Sequence, residues 1–322
     1  MHLRRTVSPA TFRRVTWWAL AAQIAIVLTG AAVRLTGSGL GCTDWPGCTQ
    51  DRLIPAWGWH RWIEFGNRLL TFAVIASAAA AMVAARWRQP YRRAGFALSA
   101  VLAAGIVAQA LIGAVLVIFE LDPRLTVLHF ATSILLISAA TALVHCSAED
   151  GGLQGTSLVG TMHSGRDETP LLHRGALGPL SSALGVATGI LVCTGTIVTG
   201  SGPHGGDDRA ERFGFDLPNV TRLHSVAMWV FLALLVGLMV VVSRSPLAWV
   251  LLRPNLSAIL ALSVAQAVLG YLQYSLGVPA GLVALHVLGS TLVCCAVVAL
   301  VLKVHSATTL TGESSRPVFS PK

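Results

Sequence analysis

Eight apolar runs of about 17 or more residues without Lys, Arg, Asp or Glu divide the chain: 15–33, 69–85, 95–119, 125–147, 179–200, 223–243, 254–280 and 281–302. A helix needs about 20 mainly apolar residues to cross a bilayer. The pattern predicts an all-α polytopic membrane protein with eight transmembrane helices, the last two separated by a turn at Gly277–Gly281.

The pattern also repeats. At a shift of 157 residues Gln109-Ala110 falls on Gln266-Ala267, Gly113 on Gly270, Leu125 on Leu282 and Leu128-His129 on Leu285-His286. The same shift sets Asn67 on His224 and Glu64 on Thr221; nearby shifts align Thr29-Gly30 with Thr194-Gly195 and Gly37-Ser38-Gly39 with Gly200-Ser201-Gly202. Two four-helix halves follow, over 1–147 and 179–303, joined by a polar linker at 148–178 and followed by a tail at 304–322 expected to lack fixed structure. An even number of helices per half gives both the same orientation, so they form parallel-repeat four-helix bundles related by an axis along the membrane normal.

Composition agrees. Hydrophobic residues make up 54% of the chain and charged ones 11%, against roughly 25% charged in soluble domains, which excludes soluble enzymes and DNA-binding domains. The net charge of +9 does not indicate nucleic acid, because the basic residues flank helices. With the N-terminus inside, fifteen Lys and Arg lie on inner segments and eight on the outer side. The positive-inside rule thus predicts a cell (plasma) membrane protein with both termini cytoplasmic. The first apolar run exceeds the 7–15 residues of a signal-peptide core, and no clear small-residue cleavage site follows it.

Of six cysteines only Cys42 and Cys48 fall in an outer loop. Their Gly/Pro-rich turn allows a disulfide, two free thiols or a weak metal site, with the disulfide preferred in that compartment. Cys193, Cys294 and Cys295 are expected to be small buried apolar residues.

Ionisable residues within spans are costly and so mark candidate sites. His129, His224 and His286 lie at similar depth near the outer ends of helices four, six and eight. Each could simply bond a neighbouring helix. Their repeated placement favours imidazoles facing each other across a bundle, an arrangement suited to axial ligation of haem iron. In the first half Glu64 lies three residues before Asn67, with His60 seven before it. Glu64 reads either as an ion-pair partner of Arg61 or Arg68, or as a base or charge stabiliser beside a reactive ligand. Gln109 and Gln266 are expected to tie helices together or touch a cofactor. Arg34, Arg68 and Arg222 could meet porphyrin propionates or lipid phosphates.

Residues 15–303 resemble the haem A synthase family. The resemblance rests on Thr29 to Cys42 (TGAAVRLTGSGLGC) with Asp44-Trp45-Pro46, on Ile63-Glu64-Phe65-Gly66-Asn67-Arg68, and on Gln109-Ala110-Leu111-Ile112-Gly113. His129, Thr199-Gly200-Ser201-Gly202-Pro203-His204, Arg222-Leu223-His224 and His286 complete it. It implies oxidation of the C8 methyl of haem O to a formyl group in cytochrome oxidase assembly. It further implies a haem b held by His224 and His286, with substrate haem O near Glu64 and His129. Haem O synthase and oxidase assembly factors would be partners, with a quinone as candidate electron acceptor. The outer cysteine pair resembles the family's loop pair. The family's first-half pattern reads glutamate, two residues, histidine; here the last position is Asn67. Either His60 supplies the missing imidazole or His129 holds the substrate iron alone, the second preferred because His60 lies close to the loop.

Overall fold

The computed structural model describes residues 6–152 and 176–314. Most of the expected linker and the tail beyond Ser314 lie outside the described residues. Among the described residues eight helices form: α1 (Pro9–Leu35), α2 (Trp59–Trp87), α3 (Arg93–Ile118), α4 (Pro123–Gly152), α5 (Leu177–Ser201), α6 (Leu217–Ser243), α7 (Pro246–Ser275) and α8 (Ala280–Ser314). Each contains a segment long and apolar enough to cross a membrane, and only 17–33% of its most apolar stretch is buried inside the protein. The remaining apolar surface is what a lipid-facing protein exposes.

Capping chemistry sets several boundaries. Ser8 accepts a hydrogen bond from the Thr11 N–H, with Pro9 opening α1, and Ser245 caps α7 through the Ala248 N–H with Pro246 behind it. Both use a side-chain oxygen and a residue with no N–H where the helix has unpaired donors. The helices outrun the charge-free segments. The charge-free run beginning at 254 is entered from Pro246, so Arg253 and Pro254 are inside α7. Lys303 of α8 donates to the Leu251 carbonyl beside that break (2.8 Å). The tail expected to lack structure departs from that reading as far as Ser314, because α8 continues past Lys303. No proline interrupts the sequence there.

Within each half the helices close a ring, α1–α2–α3–α4 and α5–α6–α7–α8, and each ring has its own apolar core. The halves meet chiefly through α4 on α8, α1 on α8 and α4 on α5. Exchanging the halves turns the first contact into itself and the other two into each other, the signature of a two-fold relation. The repeat reaches the backbone. Glu120 and Leu121 hold positive φ between α3 and α4, and Gly277 and Val278, 157 residues on, do the same between α7 and α8.

At the centre of the contact Ser138 Oγ lies 3.8 Å from Cys294 Sγ, while Cys295 packs against the first half's core. Cys193, expected to be buried, is exposed on the outside of its helix. Ser138→Cys should therefore cross-link to Cys294 under mild oxidation. The halves would then stay together on a denaturing gel after cleavage at a protease site inserted in the 153–175 segment. Separation of the fragments, or cross-linking that survives Cys294→Ala, would contradict this packing.

Candidate functional site

The site residues gather near the outer ends of the helices. His129, His224 and His286 lie six or seven residues into α4, α6 and α8. That is about 9–10 Å along the axis at 1.5 Å per residue, deeper than the charge-free runs indicated, because the helices begin earlier.

In the second half the His224 and His286 rings have centroids 6.4 Å apart at 72°. Thr194 Oγ lies 3.0 Å from His224 Nδ1, leaving Nε2 for other work. His286 Nδ1 is buried with no hydrogen-bond partner. A metal bound at about 2 Å by one nitrogen of each ring, each about 1.1 Å from its centroid, would hold the centroids about 6.2 Å apart. The spacing of the two rings is thus the one a single iron between two imidazoles would require. Among the described residues no group of three or more His, Cys, Asp or Glu could hold a metal ion, so a three-ligand zinc site finds no support there.

Glycines seat these rings. A Cβ at Gly195 would stand 3.0 Å from His224 Cε1, and one at Gly270 3.4 Å from His286 Cε1. A Cβ at Gly113 would stand 3.4 Å from His129 Cε1. In sequence these glycines were visible only as repeat markers, and their spacing from the histidines was the signal for this role.

The first half keeps one ring and replaces the other. His129 Nδ1 is buried and unpartnered, as in His286. Gln109 Nε2 donates to the His129 carbonyl (2.8 Å) and to Ser133 Oγ (2.7 Å), tying α3 to α4. Gln266 occupies the equivalent place; its Oε1 is unpartnered, and its amide fills the space a Cβ at Gly289 would take. Where the second half pairs Thr194 with His224, the first pairs Thr29 with Asn67, the threonine hydroxyl donating to Oδ1 at 2.7 Å.

One helical turn outward, Glu64 is 4% exposed. It pairs with Arg68 (2.5 Å) and accepts the Cys42 N–H (2.7 Å). Arg68 also donates to the carbonyls of Asp44 (2.7 Å) and Gly47 (2.8 Å). Cys42 and Cys48 are joined by a disulfide. Of the two ion-pair partners considered for Glu64, Arg68 is the one found, and the pair latches the disulfide loop. His60 sits on the first turn of α2, exposed, with Nδ1 2.9 Å from Ser38 Oγ.

The other cations do different work. Arg34 crosses to the second half and donates to the carbonyls of His204 (2.6 Å) and Thr199 (3.0 Å). Gly39 N–H adds a bond to the Gly206 carbonyl (2.7 Å), interlocking the two outer loops. Arg209 reaches the Leu40 carbonyl (3.3 Å) and, bonded to Asp207, holds that surface carboxyl below its ordinary range. Arg222 is exposed, with only Asn219 beside it at 3.4 Å among the described side-chain bonds.

Helices and site together define a multi-pass membrane protein of two related bundles, one carrying a pair of neighbouring imidazoles and the other a single imidazole on α4 and a buried carboxylate on α2. Comparison with known proteins gives similarity over part of the chain. Residues 13–57 match the pattern of a family described as cytochrome oxidase assembly protein. A protein of Geobacillus thermodenitrificans named Heme A synthase is 37% identical over 107 residues, 32% of this chain and 32% of the relative. One of Lysinibacillus sphaericus with the same name is 33% identical over 136 residues, 41% and 44% of the two chains. A third, from Bacillus licheniformis, is 38% identical over 110 residues, 32% and 34%. The matches thus span about a third of the first relatives' length (32%).

Arg68→Ala would strand the Glu64 carboxylate and release three loop carbonyls, those of Cys42, Asp44 and Gly47. A cost of about 3 kcal/mol is expected, the low end for breaking a buried pair. It should appear as a lower melting temperature in detergent and faster reduction of the Cys42–Cys48 disulfide by dithiothreitol. Glu64→Gln should cost less, because the Arg68 bonds to the loop survive. Wild-type melting and reduction rates in Arg68→Ala would remove the latch.

Proposed function

We propose that this chain is a haem A synthase, a membrane oxidoreductase converting the C8 methyl of haem O to a formyl group. The observation that carries this reading is the broken symmetry of the two sites. The second half has two imidazoles at a spacing suited to one iron. The first has one, together with a buried carboxylate whose repeat equivalent is Thr221. A retained cofactor is best served by the pair, and a reacting substrate by the site with the extra group.

On this reading His224 and His286 hold haem b, and His129 faces the iron of substrate haem O. Haem b, when bound, supplies one-electron relay. The methyl carbon is hydroxylated twice, each time taking its oxygen from water and giving up two electrons and two protons, and the geminal diol loses water to give the aldehyde; a quinone is the candidate acceptor for the electrons. Both oxygens of Glu64 already accept hydrogen bonds, from Arg68 and Cys42. This favours Glu64 as a fixed charge stabilising an electron-poor methyl carbon over a base that takes up a proton. Arg34 spends Nε and one terminal nitrogen on backbone carbonyls and keeps the other for a propionate, Arg68 shapes the substrate site through the loop that it holds, and Arg222 is open to propionate or lipid phosphate. Gln109 and Gln266 position the ligand helices against the porphyrins. Residues 1–147 form the substrate half and 179–303 the haem b half. The excess of basic residues on inner segments supports a cell-membrane location with both termini cytoplasmic and the sites toward the outer face. Haem O synthase and cytochrome oxidase assembly factors are the expected partners.

The test is co-expression with a haem O synthase in a host lacking haem A, with extracted haems identified by chromatography. Haem A is expected. Glu64→Gln should cut conversion by at least about 100-fold, the scale of a lost catalytic group, with haem b retained. His224→Ala should lose the haem b spectrum. Haem B and haem O alone, from a folded and haem-loaded protein, would replace this reading with an electron carrier of cytochrome b type.

A further inference from the structure

Asn67 and His224 are repeat equivalents, and the structure treats them alike up to their last atoms. Each sits on the second helix of its half and engages a threonine of the first, Thr29 at 2.7 Å and Thr194 at 3.0 Å. Beyond that point they differ. The His224 ring reaches Gly195, where an added Cβ would stand 3.0 Å from Cε1, whereas an added Cβ at Gly30 would meet nothing within 4 Å. The shorter carboxamide leaves open the space that the ring fills in the other half. An amide nitrogen has no available lone pair, so Asn67 is no substitute for an imidazole on iron.

Nothing else on α2 replaces it. His60 lies seven residues before Asn67, about 10 Å along the axis, with its Nδ1 on Ser38. Glu64 and Arg68 are committed to the disulfide loop. On the opposite helix His129 keeps the seat its partner His286 has, against Gly113 as His286 lies against Gly270, with Nδ1 likewise unpartnered.

We infer that the first-half iron has one protein ligand, His129, and an open coordination position facing the Asn67 carboxamide that takes a small exogenous ligand of diatomic size. The Thr29 hydroxyl occupies Oδ1, which leaves the amide N–H₂ as a neutral hydrogen-bond donor to whatever binds there. This inference rests on the first half being the site of substrate haem. It assigns to Asn67 the role of keeping that iron open, in contrast to the closed iron expected between His224 and His286.

The experiment uses the full chain isolated with its haems from cells making haem O. Extracted haem is quantified, the reduced protein is titrated with carbon monoxide, and the oxidised protein is examined by electron paramagnetic resonance. The expected result is carbon monoxide bound to one haem of two, with a high-spin ferric signal alongside a low-spin one. Asn67→His should abolish that binding and convert the high-spin signal to low-spin at unchanged haem content, while Asn67→Leu should keep carbon monoxide binding. Two haems per chain with no carbon monoxide bound in the wild type would overturn the open position. So would binding that persists unchanged in Asn67→His. A chain with one haem whose content is untouched by His129→Ala would instead defeat the assignment of a haem to the first half, and this inference with it.

Discussion

Three imidazoles in this protein lie against glycines of a neighbouring helix, and the outer third of the molecule is organised around those contacts. A histidine in an apolar span has no water to fix it, so its ring must be held by packing and by whatever hydrogen bond the protein supplies. A Cβ at Gly195 would stand 3.0 Å from the His224 ring, tight enough that the ring would have to shift, and a Cβ at Gly113 or Gly270 would stand 3.4 Å from His129 or His286, at the edge of ordinary contact. Small residues let the helices approach closely, and the approach joins α3 to α4, α5 to α6 and α7 to α8. Gln109 adds a hydrogen bond to the carbonyl of the very histidine that α3 seats. Rings fixed in this way are pre-oriented for a ligand before it arrives.

Against that shared arrangement the first half carries an extra charged element. A buried carboxylate is expensive unless its oxygens are met, and Glu64 is met by Arg68 from its own helix and by the Cys42 N–H of the loop above. The same guanidinium holds three loop carbonyls, so one ion pair fixes both the carboxylate and the loop over it. The loop in turn leans on the other half through Arg34, Arg209 and the Gly39–Gly206 bond. Loop, carboxylate and inter-half contact form one connected network on the outer face of the first half.

How much of this could be read beforehand depends on the physics each feature obeys. The eight helices were legible because hydrocarbon excludes charge, and the two halves because the repeat preserves Gln, Gly and His at fixed spacing. Helix limits were less so. Arg61, Glu64 and Arg68 fall outside the charge-free run at 69–85, yet they belong to α2, where Glu64 and Arg68 pair with each other and with the outer loop. Arg253 and Pro254 mislead in the same way at the start of α7. The Cys42–Cys48 pair could be anticipated from its turn, but the Arg34 and Arg68 partners could not: a cation at a membrane edge has the same sequence signature whether it meets a phosphate, a propionate or a backbone carbonyl. The threonines that engage Asn67 and His224 were visible as aligned residues, while their role needed the distance between helices.

The position of the divergence within the two-fold arrangement explains how it could be tolerated. The halves meet chiefly through α1, α4, α5 and α8, and two of these, α4 and α8, carry the histidines common to both halves. Those helices touch each other across the axis near Ser138 and Cys294, so a change there would be felt twice. Asn67 and Glu64 lie on α2, and their equivalents His224 and Thr221 on α6, on the sides of the bundles away from that axis. A substitution at Asn67 acts on one site away from the helix–helix interface, whereas Glu64 also reaches the inter-half contact through the latched loop. Duplication therefore gives two inner helices, α4 and α8, with the same histidine in each, and two outer helices, α2 and α6, that carry the difference: His224 on α6 lies by His286, while α2 carries Asn67 and the Glu64–Arg68 pair that latches the loop.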